Sequence, residues 1–266
     1  RTEHNASSHE VLIQRPKAFV ELKAAAETSA LQHRTTSGAM SRKFFAELIA
    51  MALFVFAGCG SAMSVAKEEG SAWVLQVSLS FGLAITVLAY AVGHYSGAQI
   101  NCAVTFGLVI YGHISVAQGF ANFAGQLIGA VLGAMLLKTM FPARKDRTGG
   151  IGCNSIAEGW TPFSALLGEF AGTFLLVYVV FETSVNSMAA ANSAQAPLAI
   201  GLAVFLAHSV LIPVDGCSIN PTRSFGPALV ELLAEPASTP FKDHWVFWVG
   251  PLLGAAAAAG VYALMV

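Results

Sequence analysis

Gly97-Ala98-Gln99-Ile100-Asn101-Cys102-Ala103-Val104-Thr105-Phe106-Gly107 and Gly216-Cys217-Ser218-Ile219-Asn220-Pro221-Thr222-Arg223-Ser224-Phe225-Gly226 decide the architecture. The stretches stand 119 residues apart and share Gly, Ile-Asn and Phe-Gly at the same steps. Each follows a turn (Gly93 and Gly97; Asp215-Gly216) and leads from Asn into a short apolar run, residues 101–111 and 220–233. At ~1.5 Å per residue, a ten-residue helix reaches ~15 Å, half of a ~30 Å hydrocarbon layer. Two such half-helices, entering from opposite faces and meeting end to end, would cross it together.

Around them lie six apolar segments of spanning length, at 43–63, 72–93, 116–138, 162–183, 195–213 and 244–265. Charged or polar runs separate them, such as Lys67-Glu68-Glu69, Arg144-Lys145-Asp146-Arg147 and residues 184–196. Of the 266 residues 55% are hydrophobic and 11% charged, far below the roughly 25% charge of soluble domains. The composition predicts an all-α integral membrane protein in contact with a lipid bilayer. A net charge of −1 gives no reason to expect nucleic acid. The four cysteines form no close pair or Cys/His cluster, so neither a metal site, a cofactor nor a disulfide framework is expected.

The 119-residue offset also aligns Gly82-Leu83-Ala84 with Gly201-Leu202-Ala203, and Glu47 and Glu169 fall at matching places in the first helix of each half. Each half, about 42–140 and 160–266, therefore holds three spans and one half-helix. Because three is odd, the second half enters the membrane inverted, a plan that marks a transport pathway. Gly125, Gly129 and Gly133, and Gly250 with Gly254, recur every four residues, a spacing that lets helix backbones approach closely. The positive-inside rule puts Arg42 and Lys43 in the cytosol, but Lys138, Arg144, Lys145 and Arg147 then lie outside, so orientation stays open. Residues 1–41 read as a polar tail, in which Val11 to Leu31 could form a short helix.

Asn101-Cys102-Ala103 and Asn220-Pro221-Thr222-Arg223 resemble the paired Asn-Pro-Ala boxes of the major intrinsic protein family, the aquaporins and glycerol channels. Gly93-His94-Tyr95-Ser96-Gly97-Ala98, Ser224-Phe225-Gly226-Pro227-Ala228 and His244-Trp245-Val246-Phe247-Trp248-Val249-Gly250-Pro251 are similar to family stretches too. The likeness covers residues 42–266. It implies six transmembrane helices with two re-entrant half-helices, one pore per subunit, a homotetramer and osmotic water conduction. The plasma membrane is the implied home, with an organelle membrane left open.

Asn suits a half-helix start, since its side-chain oxygen can cap the first turn and its NH2 group can donate into a pore. Two helix N-termini meeting there bring ~+0.5 charge each, which opposes cations and orients water. Arg223 lies inside a membrane segment, where a charge is expected to face water or serve function. By resemblance Arg223 forms a narrow filter with Phe81, His208 and Cys217; Phe81 and His208 bring bulk, Arg223 and His208 supply donors, and the Cys217 thiol forms a small wall open to mercurials. Glu47 and Glu169, acids in apolar helices, read as acceptors for loop N–H groups near each half-helix, with a proton relay as the alternative.

A glycerol facilitator on the same fold is the nearest rival; there a small residue usually replaces His208, and Asp follows the filter Arg where this chain has Ser224. A proton- or ion-coupled transporter and a poorly conducting membrane-junction protein are further rivals. No nucleophile–base pair or nucleotide loop suggests an enzyme.

Cys102 and Thr222 depart from the family boxes. If the boxes cross, Cys102 faces Thr222 and Pro221 faces Ala103, so that a smaller Cys makes room for a larger Thr. Cys102→Pro with Thr222 retained is then expected to lower both water flux in vesicle swelling and thermal stability, by roughly 1–3 kcal/mol of overpacking. Unchanged flux and melting would refute the coupling.

Overall fold

The computed structural model describes residues 17–266, with side chains from residue 38. The first sixteen residues of the polar tail, and Val11 to Pro16 of the stretch read as a short helix, lie outside the described residues. The chain divides after Ala39 into two units. In the first, residues 17–39 are helical; the second, Met40–Val266, carries the membrane spans.

The helices are α1 (Lys17–Val65), α2 (Trp73–Ser96), α3 (Cys102–Tyr111), α4 (Val116–Met140), α5 (Pro162–Val180), α6 (Ala196–Asp215), α7 (Pro221–Ala234) and α8 (Val246–Met265). A 3-10 turn, Ala143–Lys145, follows α4; a π turn, Phe181–Val185, and a 3-10 stretch, Ser187–Gln195, join α5 to α6. Among the described residues, six helical segments are long and apolar enough to span a bilayer: Gly38–Val65, Trp73–Ser96, Val116–Met140, Pro162–Val185, Ser187–Asp215 and Val246–Met265. They match the six expected segments to within a few residues, except that the fifth begins earlier because the polar 184–196 run is itself helical. The two short runs are α3, with 10 residues, and α7, with 14.

Local chemistry sets the ends. Thr161 caps α5 by accepting from Ser164 N, with Pro162 just inside. Gly97 and Gly216 close α2 and α6 at φ +89° and +81°, a left-handed turn that glycine adopts without strain. This turns the chain back into the protein at equivalent points of the two repeats.

Glycines permit the packing of the repeats. A Cβ on Gly125 of α4 would meet the Phe44 carbonyl of α1 at 2.5 Å, and one on Gly250 of α8 would meet the Leu166 carbonyl of α5 at 3.1 Å. These are the same contact made once in each half. Between the halves, a Cβ on Gly82 of α2 would fall 2.7 Å from the Gly201 carbonyl of α6, and one on Gly201 2.5 Å from the Gly82 carbonyl. Backbone approach this close supplies the van der Waals contact that holds helices together in lipid.

Polar groups are buried within the apolar core while large apolar side chains face outward. Glu47, Glu169, Gln126, Asn122 and Thr222 are fully buried, whereas Phe120, Phe163 and Val210 are more than 60% exposed. Such a surface fits lipid rather than water.

The half-helix α7 lies against α4 at Gly226, where a Cβ would come within 2.5 Å of the Ala130 carbonyl carbon. Gly226→Ala is expected to destabilise the fold by roughly 1–3 kcal/mol. A fall in the melting temperature of the solubilised protein checks this, and no shift would mean that α4 and α7 separate without penalty.

Candidate functional site

The two re-entrant loops bend through left-handed conformations that side chains rarely adopt. Ala98 and Ile100 have φ of +47° and +50°; Cys217 and Ile219 have +55° and +45°. Such residues cost of order 1–3 kcal/mol each and persist only where their surroundings hold them. Buried carboxylates do so here. Glu47 Oε1 accepts from Gln99 N at 2.9 Å and the Ser96 hydroxyl at 2.6 Å, and its Oε2 accepts from Ile100 N at 2.7 Å and Gln126 Nε2 at 2.8 Å. In the second half Glu169 Oε1 accepts from Ser218 N at 2.7 Å, and Oε2 accepts from Ile219 N. Both acids are fully buried.

The loops deliver the two asparagines to one point. Asn101 Oδ1 accepts from Ala103 N at 2.8 Å, and Asn220 Oδ1 accepts from Arg223 N at 3.2 Å and the Thr222 hydroxyl at 2.7 Å. Asn101 Nδ2 donates to the Ile219 carbonyl and Asn220 Nδ2 to the Ile100 carbonyl, each at 2.7 Å. The expectation of freely donating NH2 groups is corrected in part: one hydrogen of each is committed across the junction, which leaves one each for a pore. The start of α3 meets the start of α7, and the Cys102 thiol lies in hydrogen-bonding reach of Thr222.

Phe81, His208 and Arg223 come together. The Phe81 and His208 rings stack with centroids 4.3 Å apart at 24°, and the Arg223 guanidinium carbon is 5.0 Å from the Phe81 centroid. Arg223 Nη1 donates to the Gly152 carbonyl at 3.0 Å, while its Nε has no protein partner. His208 Nδ1 lies 2.9 Å from the Val204 carbonyl, and its Nε2 is unpartnered. A carbonyl only accepts, so Nδ1 carries the hydrogen and the neutral ring presents an Nε2 lone pair. The expectation that His208 is a donor is therefore corrected: α6 geometry spends its one N–H on the helix backbone.

Two cavities of about 350 Å³ each flank this cluster. One is lined by Asn101, Asn220 and His208 with apolar Ile85, Val104 and Leu176. The other is lined by Phe81, Arg223, Asp215, Gly152 and Cys153. Cys217 is fully buried and lines neither cavity, whereas Cys153 reaches the second.

Several contributors are not singled out by sequence reasoning. Gln126 donates to Glu47, and Asn122 donates to Gln99 Oε1. Amides four residues apart in an apolar helix were the available signal. Gly152 acts through its backbone and leaves no side-chain signal at all. Asn154 Oδ1 accepts from the Ser224 hydroxyl at 2.7 Å, fixing α7 to the loop before α5.

Six spans, two capped half-helices meeting head to head and a cation beside aromatic rings define a polytopic membrane channel. Residues 34–262 match the Major intrinsic protein family. The chain is 41% identical over 224 residues to Aquaporin-2 of Homo sapiens, covering 84% of this chain and 78% of that protein. It is 39% identical over 227 residues to Probable aquaporin PIP2-8 of Arabidopsis thaliana, covering 83% and 80%. The X-ray structure of the aquaglyceroporin from Plasmodium falciparum superposes with a TM-score of 0.76 at 22% identity, over 84% of this chain and 95% of that one, a likeness of fold. The chain belongs to the major intrinsic protein family, whose members are channels and not enzymes.

Glu47→Ala would leave the Gln99 and Ile100 N–H groups, the Ser96 hydroxyl and Gln126 without their acceptor. At roughly 1–3 kcal/mol per unsatisfied buried group, most of the stability of the fold should go. Loss of the monodisperse protein in detergent checks this, with Glu47→Gln retaining part of it; a stable Glu47→Ala would show that the loop holds itself.

Proposed function

We propose that the protein is a passive water channel that conducts single-file water down an osmotic gradient and holds back protons and ions. The observation that carries this reading is the close ring of Phe81, His208 and Arg223 in line with the paired asparagines. The Phe81 and His208 rings stack on each other and stand as one bulky aromatic wall beside Arg223, which leaves less room for a polyol than a small residue at position 208 would. The Arg223 charge and the two half-helix N-termini set a positive potential along the path, which opposes hydronium and other cations. Each asparagine offers its remaining N–H to the oxygen of a passing water, so that the hydrogens of neighbouring waters point away from the junction on both sides. Such a file conducts protons poorly. His208 Nε2 accepts a hydrogen from the water that Arg223 holds by its oxygen, a complementary pair that a glycerol backbone is too wide to reach. Cys217 supports this narrow point as a buried wall residue.

The curated relatives at about 40% identity carry aquaporin names, which agrees with the water reading. We propose further that four copies assemble, each with its own pore, in the plasma membrane. Native mass spectrometry of the solubilised protein tests the tetramer.

Stopped-flow swelling of proteoliposomes tests the function: water permeability should rise well above that of empty liposomes while glycerol uptake and proton leak stay at background. Equal shrinkage of loaded and empty vesicles overturns the reading. His208→Ala is expected to admit glycerol severalfold faster with water flux retained; unchanged glycerol exclusion would remove His208 from the filter.

A further inference from the structure

The two repeats also differ at a buried position where each re-entrant loop begins. Ser96, which ends α2, donates its hydroxyl to Glu47 Oε1 at 2.6 Å. The residue 119 positions later is Asp215, which ends α6 beside Glu169. Three consecutive amides bring these two acids together: Cys217 N donates to Asp215 Oδ1 at 2.9 Å, Ser218 N to Glu169 Oε1, and Ile219 N to Glu169 Oε2. Because the three amides are consecutive, the two carboxyl groups are neighbours. Both residues are fully buried, and Asp215 Oδ2 has no N–H or O–H donor directed at it. Arg223 is the cation facing the pair, and its Nη1 bonds Gly152 O rather than either acid. Cys217 adjoins in the loop, Asn154 Nδ2 contacts the Asp215 carbonyl, and Lys67, Glu158 and Cys153 line the same cavity as Asp215. Two neighbouring buried carboxylates with no ion-pair partner in direct contact do not both ionise.

We propose that Glu169 and Asp215 hold one proton between them, and that Asp215, as the neutral acid, is a positioning residue that donates from Oδ2 to Glu169 as Ser96 donates to Glu47. The Glu169 carboxylate so held fixes the 217–219 wall, and the pair presents one negative charge to the one positive charge of Arg223. Loss of the proton at high pH sets two like charges against each other and loosens the wall. The inference rests on the pore reading only for its transport arm.

Infrared difference spectroscopy of the full chain in liposomes tests it. Wild type at neutral pH is expected to show a buried carboxylic acid C=O band that shifts in D2O, vanishes as the pH is raised and is missing in Asp215→Asn. Absence of that band overturns the proposal, and this measurement stands whether or not any variant folds. In swelling assays Asp215→Ser, which installs the residue of the first repeat, should retain severalfold more permeability than Asp215→Ala and lose the alkaline decline of wild type. Equal behaviour of Ser and Ala, or a wild-type permeability that stays flat while the band titrates, overturns the positioning role. A band with no water flux in any form would leave the proton in place and refute the water-channel reading instead.

Discussion

A chain that turns back halfway through a bilayer must find acceptors for its N–H groups without water or a neighbouring strand. Glu47 and Glu169 answer that constraint. Each puts both carboxylate oxygens against consecutive amides of one re-entrant loop, Gln99 with Ile100 and Ser218 with Ile219. The left-handed backbone at Ala98, Ile100, Cys217 and Ile219 follows, because the amides must point away from the path toward the acid. Ile100 and Ile219 then aim their carbonyls at the opposite asparagine. One acid per repeat therefore fixes a loop, an asparagine and the start of a half-helix, and the two repeats lock through reciprocal amide–carbonyl bonds.

The helix packing serves the same end. Half-helices α3 and α7 are too short to anchor themselves in lipid, so longer helices must bring backbone against them. Gly107 of α3 faces Val177 and the Ala255 carbonyl, and Gly226 of α7 faces Ala130. Small residues at these points let a junction of polar atoms lie in the middle of an apolar slab with nearly every buried group paired. The exceptions, among the described residues, include His208 Nε2 and Arg223 Nε, the atoms best placed to meet a passing water.

Much of this was legible before any coordinates. Segment length separates spans from half-helices, and the 119-residue repeat places Asn101 opposite Asn220, since an inverted duplication leaves few other ways to close two half-spans. Acids inside apolar helices point to Glu47 and Glu169, because an unpaired carboxylate does not face lipid. What stayed hidden depends on hydrogen direction or on backbone atoms. Sequence says that His208 is present but not that Val204 O takes its N–H. It says nothing of the Gly152 carbonyl that braces Arg223. The start of the first helix was also obscured, since the polar composition of residues 17–39 does not distinguish a solvated helix from a tail.

The inverted repeat also explains why the two sides of the asparagine junction differ. Val104 and Arg223 occupy equivalent places, one turn into each half-helix, but inversion carries them to opposite sides of the asparagine junction. Val104 joins Ile85, Leu176 and Val180 on the apolar side of a cavity that Asn101, Asn220, Gln99 and His208 also line. Arg223 joins His208 and Phe81 in a wall that binds water. Water bound tightly at every step would move slowly, and water bound nowhere would not enter. On the reading proposed above, polar contact at Arg223 and at the asparagines would give each molecule a place to be selected and a place to be turned. A symmetric pair of arginines would have raised the barrier at both ends and given up that economy of contacts, so the divergence of the two repeats at this one position is part of how the path selects without stalling.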